Sequence, residues 1–215
     1  MTLQQDESDS ELMVRAIAAE RLTFFSDAVI AIALTLLALN LTLPSGATNG
    51  EMLHSFLANR DEYLAFLISF MVIAAHWRGH HLIFRYVTHL DGHLVGFTIA
   101  WLFAQVIVPF ATRLLTANGA FQFRFGFYSV VEVMAFAFFV LMVREIQRKH
   151  LYRDNVPPNM FLHTYLRLLG FGAGFALSIP VSFFTDYSYI CWIAGPLAFR
   201  VYWLVTKRQR ATQPA

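Results

Sequence analysis

The sequence predicts an all-α protein that crosses a membrane six times. Three observations carry that prediction. The 215 residues are 57% apolar and only 14% charged, a more apolar and less charged balance than a water-soluble domain of this length shows. The apolar residues arrive in long blocks without the alternation of strands, and helices are the elements that close every backbone hydrogen bond within one segment of lipid-crossing chain. The basic residues also sort by side. Threading six spans puts twelve of the sixteen Lys and Arg residues with the two termini, leaves Arg60, Arg113 and Arg124 opposite, and places Arg200 inside the sixth span. The positive-inside rule then expects both termini in the cytoplasm, and five or seven spans would mix the basic loops.

In chain order, residues 1–19 read as an acidic, mobile tail passing into a lead-in helix, and not as a signal peptide, since a basic n-region is missing. Residues 20–206 read as one six-helix domain, and 207–215 as a short basic tail. The first span covers Leu22 to Leu43, about 33 Å at the helical rise of about 1.5 Å per residue. Pro44, Gly46 and Gly50 mark a loop, and Met52 to Asn59 suits a short interfacial helix. The second span runs from Tyr63 to Phe84 and ends in the polar stretch HWRGHH. The third runs from His93 to Leu115 with Gln105 and Pro109, and the fourth from Phe121 to Val143 with Glu132. A polar segment, Arg144 to Asn159, precedes a fifth span from Phe161 to Phe184. There Gly170 and Gly174 form a small-xxx-small spacing suited to close helix packing. The sixth span, Tyr187 to Val205, holds Pro196 and Arg200. A single cysteine, Cys191, excludes an intrachain disulfide and disfavours a cysteine metal site, and a net charge of +2 is too small to point to nucleic acid.

The first span carries the most information. At 100° per residue, Phe25, Ala28, Ile32, Thr35, Leu36 and Leu39 share one stripe, and Asp27 points away from it. Two readings stand side by side. The stripe is ordinary helix–helix packing, with Thr35 bonding back to the Ala31 carbonyl. Alternatively it is the wall of a pore built from several copies of this helix, in which Ile32 and Leu39, with Leu36 beside them, form rings that gate by dewetting around a Thr35 layer. The Arg-to-Asp motif occurs once, so a central pore needs several chains, which favours a homo-oligomer over a transporter of inverted repeats.

R-x-x-x-F-S-D, as Arg21, Phe25, Ser26 and Asp27 at the start of a first span, resembles the signature of the transmembrane protein 175 family of potassium channels. The resemblance implies six spans per subunit and a homotetramer in the cell membrane whose first helices line a potassium pathway. Potassium is then the permeant ion, and no cofactor or metal is implied. In the family pattern an apolar gate residue lies five after the Asp, a threonine linked to potassium selectivity eight after, and an apolar constriction twelve after. Those positions are Ile32, Thr35 and Leu39 here. The Trp- and His-rich end of the family's second span is resembled by Trp77, His80 and His81. The motif-bearing part of the likeness is confined to the first two spans. No TVGYG-type carbonyl filter occurs, so selectivity is expected to be weaker than in channels that have one.

Asp27 lies inside the membrane edge, where a lone carboxylate is costly. The expectation is one polar network of Arg21, Ser26, Asp27, His76, Trp77, His80 and His81 that fixes the first helix. Rival chemistries start from the i, i+4 pairs His76/His80 and His89/His93, which suit a transition metal or haem, but no full ligand set accompanies them. Glu132, Arg200 and Gln105 are the other intramembrane polar groups, and a Glu–Arg pair among them would suit a proton-coupled or cation secondary transporter. Phosphate-binding glycine loops, a nucleophile elbow and CxxC motifs are absent, so an enzyme is not expected.

Overall fold

The computed structural model describes residues 2–39, 41–195 and 197, with 2–13 and 15 as backbone only. The regular structure among them is helical: α1 (Thr2–Leu39), α2 (Asn49–Ala58), α3 (Arg60–Phe84), α4 (Gly92–Thr116), α5 (Phe121–Arg148) and α6 (Met160–Val181). Strand-like pairing among the described residues is limited to one isolated bridge, Val87 with Tyr152. Four stretches are long and apolar enough to cross a membrane: Ala16–Leu39, Gly92–Thr116, Phe121–Arg148 and Met160–Val181. α3 has 25 residues, the same length as α4, but its final turns carry the polar HWRGHH run. Helix resumes over 190–195. The second half of the expected sixth span, including Pro196 and Arg200, lies outside the described residues apart from Leu197, as does the 207–215 tail.

The first element differs from expectation at both ends. α1 is helical from Thr2, so the acidic stretch expected to be a mobile tail continues the span; no Gly or Pro interrupts residues 2–39. The helix stops at Leu39 rather than Leu43. Pro44 has no N–H for a helical bond and disfavours helical geometry at Leu43, and the Leu41 N–H closes the end on the Ala38 carbonyl at 3.3 Å. The chain is then pinned to α3, since the Thr42 N–H donates to Glu62 (2.9 Å) and the Tyr63 hydroxyl to the Thr42 carbonyl (2.7 Å). α2 starts at a Thr48 cap that accepts from the Glu51 N–H. α5 runs on to Arg148, so the polar segment after the fourth span begins as helix.

α4 and α5 form the central packed pair, α6 packs on α5, and α1 packs on α4 and α3. Close approach at α6 depends on its glycines. A Cβ on Gly174 would lie 2.7 Å from the Cys191 carbonyl oxygen, and one on Gly195 would run into the Gly170 carbonyl, so the small-xxx-small spacing seats the 190–195 segment. At the basic end, the Thr88 N–H donates to the Leu151 carbonyl (2.8 Å) and the Arg153 N–H to the Tyr86 carbonyl (3.0 Å), tying two connections together.

Polarity is arranged inside-out. Phe103, Phe110, Leu67, Leu177 and Phe184 are exposed, while Ser69, His76, His80, Gln105, Thr112, Ser129 and Glu132 are buried. The buried hydroxyl groups bond across helices: Thr112 donates to Ser69 (2.7 Å), which pairs with the Tyr128 hydroxyl (3.0 Å), and Trp192 donates to Ser178 (2.9 Å), which pairs with Ser129 (3.1 Å). An apolar coat around a partly polar interior suits a lipid solvent, in which interhelical contacts gain from polar groups and lipid tails solvate the rest.

Candidate functional site

α1 has two faces. Ser26, Ile30, Ala33 and Leu37, spaced four, three and four, are buried against α3 and α4. The stripe Phe25, Ala28, Ile32, Thr35, Leu36 and Leu39 lies on the other side and is exposed throughout, Ile32 at 60% and Leu39 at 79%. Within a single chain this stripe is turned to the outside of the bundle. It is available to lipid or to further copies of the helix. The Thr35 hydroxyl donates to the Ile32 carbonyl at 2.8 Å, three residues back, rather than to Ala31. Its oxygen therefore keeps lone pairs that face outward.

The single network expected around Asp27 divides in two. Asp27 accepts a hydrogen bond from the Trp77 indole N–H at 2.9 Å, and Trp77 stacks on His81 with ring centroids 5.7 Å apart. The buried Ser26 hydroxyl donates to the Leu22 carbonyl at 2.8 Å. Arg21 is exposed and makes no ion pair with Asp27. Helical geometry explains this: six residues set the two side chains about 120° apart around the axis and about 9 Å apart along it. The second-span residues split by the same rule. Trp77 and His81 are one i, i+4 pair turned toward α1, and His76 and His80 are another, rotated into the interior.

The interior pair has partners that periodicity alone does not supply. The indole N–H of Trp101 donates to His76 Nδ1 at 3.2 Å. An indole only donates, so Nδ1 is the acceptor and the imidazole proton sits on Nε2. That nitrogen faces Glu132 Oε2 at 3.6 Å, with both side chains fully buried. His80 lies between Phe84 and Trp101, at ring separations of 3.9 and 4.8 Å. Gln105 is also fully buried. Glu132 therefore faces a histidine of α3, and the Glu132–Arg200 pair considered from sequence lies outside the described residues. Trp101 was missed; its signal was a lone Trp in the third span, one helical turn before Gln105.

His89 and His93 do not form a helical pair. His89 lies in the connection before α4 and bonds Thr88 through Nδ1 at 2.8 Å. His93 instead joins Asp91 and Glu145, whose ligand atoms lie within 4.8 Å of one another. The cation amid those carboxylates is the protein's own Lys149, which bonds Asp91 and reaches Glu145 at 2.9 Å, with Arg148 on Glu145 at 3.0 Å. Burial pushes the Asp91 carboxyl up, but the bonds from Lys149 and the Leu94 N–H outweigh it and hold the group below the ordinary value. Lys149 is held above its ordinary value, chiefly by the Asp91 bond.

Comparison with known proteins identifies the arrangement. The family model described as endosomal/lysosomal potassium channel TMEM175 matches residues 21–109, the stretch from Arg21 through α1, α3 and most of α4. A potassium channel of Streptomyces collinus is 32% identical over 168 residues, covering 76% of this chain and 82% of the relative. The chain belongs to the TMEM175 family. A Chryseobacterium potassium channel is 25% identical over 167 residues, covering 78% of this chain and 84% of that relative. The fold matches the crystal structure of a lysosomal potassium-selective channel TMEM175 homologue from Chamaesiphon minutus, with a TM-score of 0.69 at 23% identity over 86% of this chain and 97% of that one. Family membership makes the chain a multi-pass membrane protein of a channel class, not an enzyme class.

Proposed function

We propose that this chain is a subunit of a homotetrameric, leak-like potassium channel with six spans per subunit and both termini in the cytoplasm. The α1 stripe lines the pore. The observation that carries this reading is the exposed stripe itself, apolar except for one hydroxyl, on the face opposite the buried Ser26–Ile30–Ala33–Leu37 seam. The names of the relatives support potassium as the permeant ion.

In a tetramer, Ile32, Leu36 and Leu39 form apolar rings narrow enough to expel water and close the path. Thr35 supplies four oxygens at one level. Its hydroxyl proton is held by Ile32, so the lone pairs are left to contact a cation or its waters. Four oxygens do not replace a hydration shell, and potassium sheds part of its water more readily than sodium does, which sets a modest preference. The Asp27–Trp77 bond and the Ser26 seam hold α1 at a fixed rotation, so that the stripe faces the axis.

Flux into liposomes containing the purified full chain tests the proposal. Potassium should pass down its gradient faster than sodium, at channel rates and without coupling to protons. Flux that is stoichiometric with a proton or sodium gradient would make the protein a secondary transporter instead.

A further inference from the structure

α3 and α6 flank α5, and a groove opens between them toward the outside of the bundle. Two cavities occupy it. One, of about 300 Å³, is lined by Met71, Val72, Arg78, Phe136, Arg167 and Phe171, with His76 on its inner wall. The other, of about 440 Å³, continues toward the basic end between Arg85, Tyr86, Pro157, His163 and the same Arg167. Arg167 therefore lines both chambers, of which the second is the more polar.

Two features make this a site rather than a gap. The first is the placement of the guanidinium groups. Arg78 lies six residues before the end of α3, and Arg167 seven residues after the start of α6. At the helical rise both are about 10 Å inside the same end of the bundle. Arg167 rests on the α3 backbone at Gly79, where an added Cβ would lie 2.5 Å from Nη2; the missing side chain leaves the room in which the guanidinium lies. The second feature is charge without a counter-charge. Among the described residues no carboxylate pairs with Arg78 or Arg167, and Arg85 bonds only the neighbouring Tyr86 hydroxyl, at 2.9 Å. Cations at this depth are costly unless an anion meets them. The basic end holds Asp91 and Glu145, but Lys149 and Arg148 already occupy them.

We infer that this groove binds an anionic phospholipid, with its phosphate between Arg78 and Arg167 and an acyl chain along Met71, Val72, Phe136 and Phe171. A guanidinium fork matches phosphate oxygens, and basic pockets between membrane helices recognise acidic headgroups. The apolar chamber favours a lipid over a soluble phosphate, because a small anion would leave that wall unfilled. The inference stands apart from the channel reading and holds whatever the protein transports.

The test uses the full chain in neutral detergent. Phosphatidylglycerol and phosphatidylcholine are titrated separately, with native mass spectrometry for adducts and thermal unfolding for stability. Phosphatidylglycerol should bind and raise Tm at concentrations where phosphatidylcholine does neither. Arg78→Gln with Arg167→Gln should weaken phosphatidylglycerol binding by about tenfold or more, and Arg113→Gln, at the other end of the bundle, should leave it unchanged. Arg167→Lys keeps the charge without the fork and should fall between, which serves if the double variant does not fold. Equal binding of the two lipids by the unmodified protein overturns the inference, as does undiminished binding by either groove variant. Stabilisation by inorganic phosphate or glycerol phosphate equal to that by the lipid also overturns it, in favour of a soluble anion.

Discussion

Trp77→Phe isolates the bond that sets the rotation of α1. Phenylalanine keeps an aromatic ring near His81 and removes the indole N–H that reaches Asp27 at 2.9 Å, together with the smaller ring of the indole. A hydrogen bond to a charged acceptor contributes about 1.5–3 kcal/mol net. Trp77 is 41% exposed, so water replaces part of the lost bond, and the expected destabilisation falls to about 1–2 kcal/mol. The cleaner quantity is a coupling energy. Trp77→Phe and Asp27→Asn, alone and together, form a double-mutant cycle measured by reversible unfolding of the purified protein in detergent. A coupling of about 1–2 kcal/mol is expected between residues in direct contact. Arg21→Gln provides the contrast: an exposed side chain with no bond to Asp27 should cost less than about 0.5 kcal/mol and show no coupling to Asp27→Asn. Additivity of Trp77→Phe and Asp27→Asn within about 0.5 kcal/mol would refute the account, and so would a strong Arg21–Asp27 coupling, which would restore the undivided network.

Thr35→Val keeps the side-chain shape and removes the oxygen, and it should lower the preference for potassium over sodium in reversal-potential measurements under two-ion conditions while leaving the oligomer intact by size. Ile32→Asn should wet the narrow part of the stripe and raise basal potassium flux into liposomes; an unchanged closed-state leak in folded protein would remove the gate from that position. The Asp91–Lys149 clamp should have a defined pH window. Asp91 is held below its ordinary value, so its contribution is present above about pH 4 and is lost as pH falls through the folded value. Lys149 is held above its ordinary value, so its contribution is present below about pH 10 and is lost as pH rises through the folded value. Asp91→Asn should therefore lower Tm at pH 7 and have progressively less effect as the pH approaches 3, a convergence that parallel melts would detect.

Much of the fold was legible in the sequence because lipid imposes a simple code. Long apolar blocks, punctuated by Pro44, Gly46 and the Pro157–Pro158 pair, mark out helices in the order the structure has them, and the Gly170/Gly174 spacing announced a close backbone contact. That Phe25, Ala28, Ile32, Thr35, Leu36 and Leu39 share one side of α1 also follows from its own 100° period, but that this side is the outward one does not, since the Ile30–Ala33–Leu37 side is equally apolar. Tertiary structure decided the partners. Arg21 and Asp27 are near in sequence, yet rotation along the helix parts them, and Asp27 finds Trp77, fifty residues on. His76 and Trp77 are adjacent, yet one turns to Trp101 and Glu132 and the other to Asp27. Periodicity states which residues of a helix share a direction; only the packed bundle states what lies in that direction. Where Arg78 and Arg167 meet across a groove, the same holds for two helices that do not follow one another in the chain.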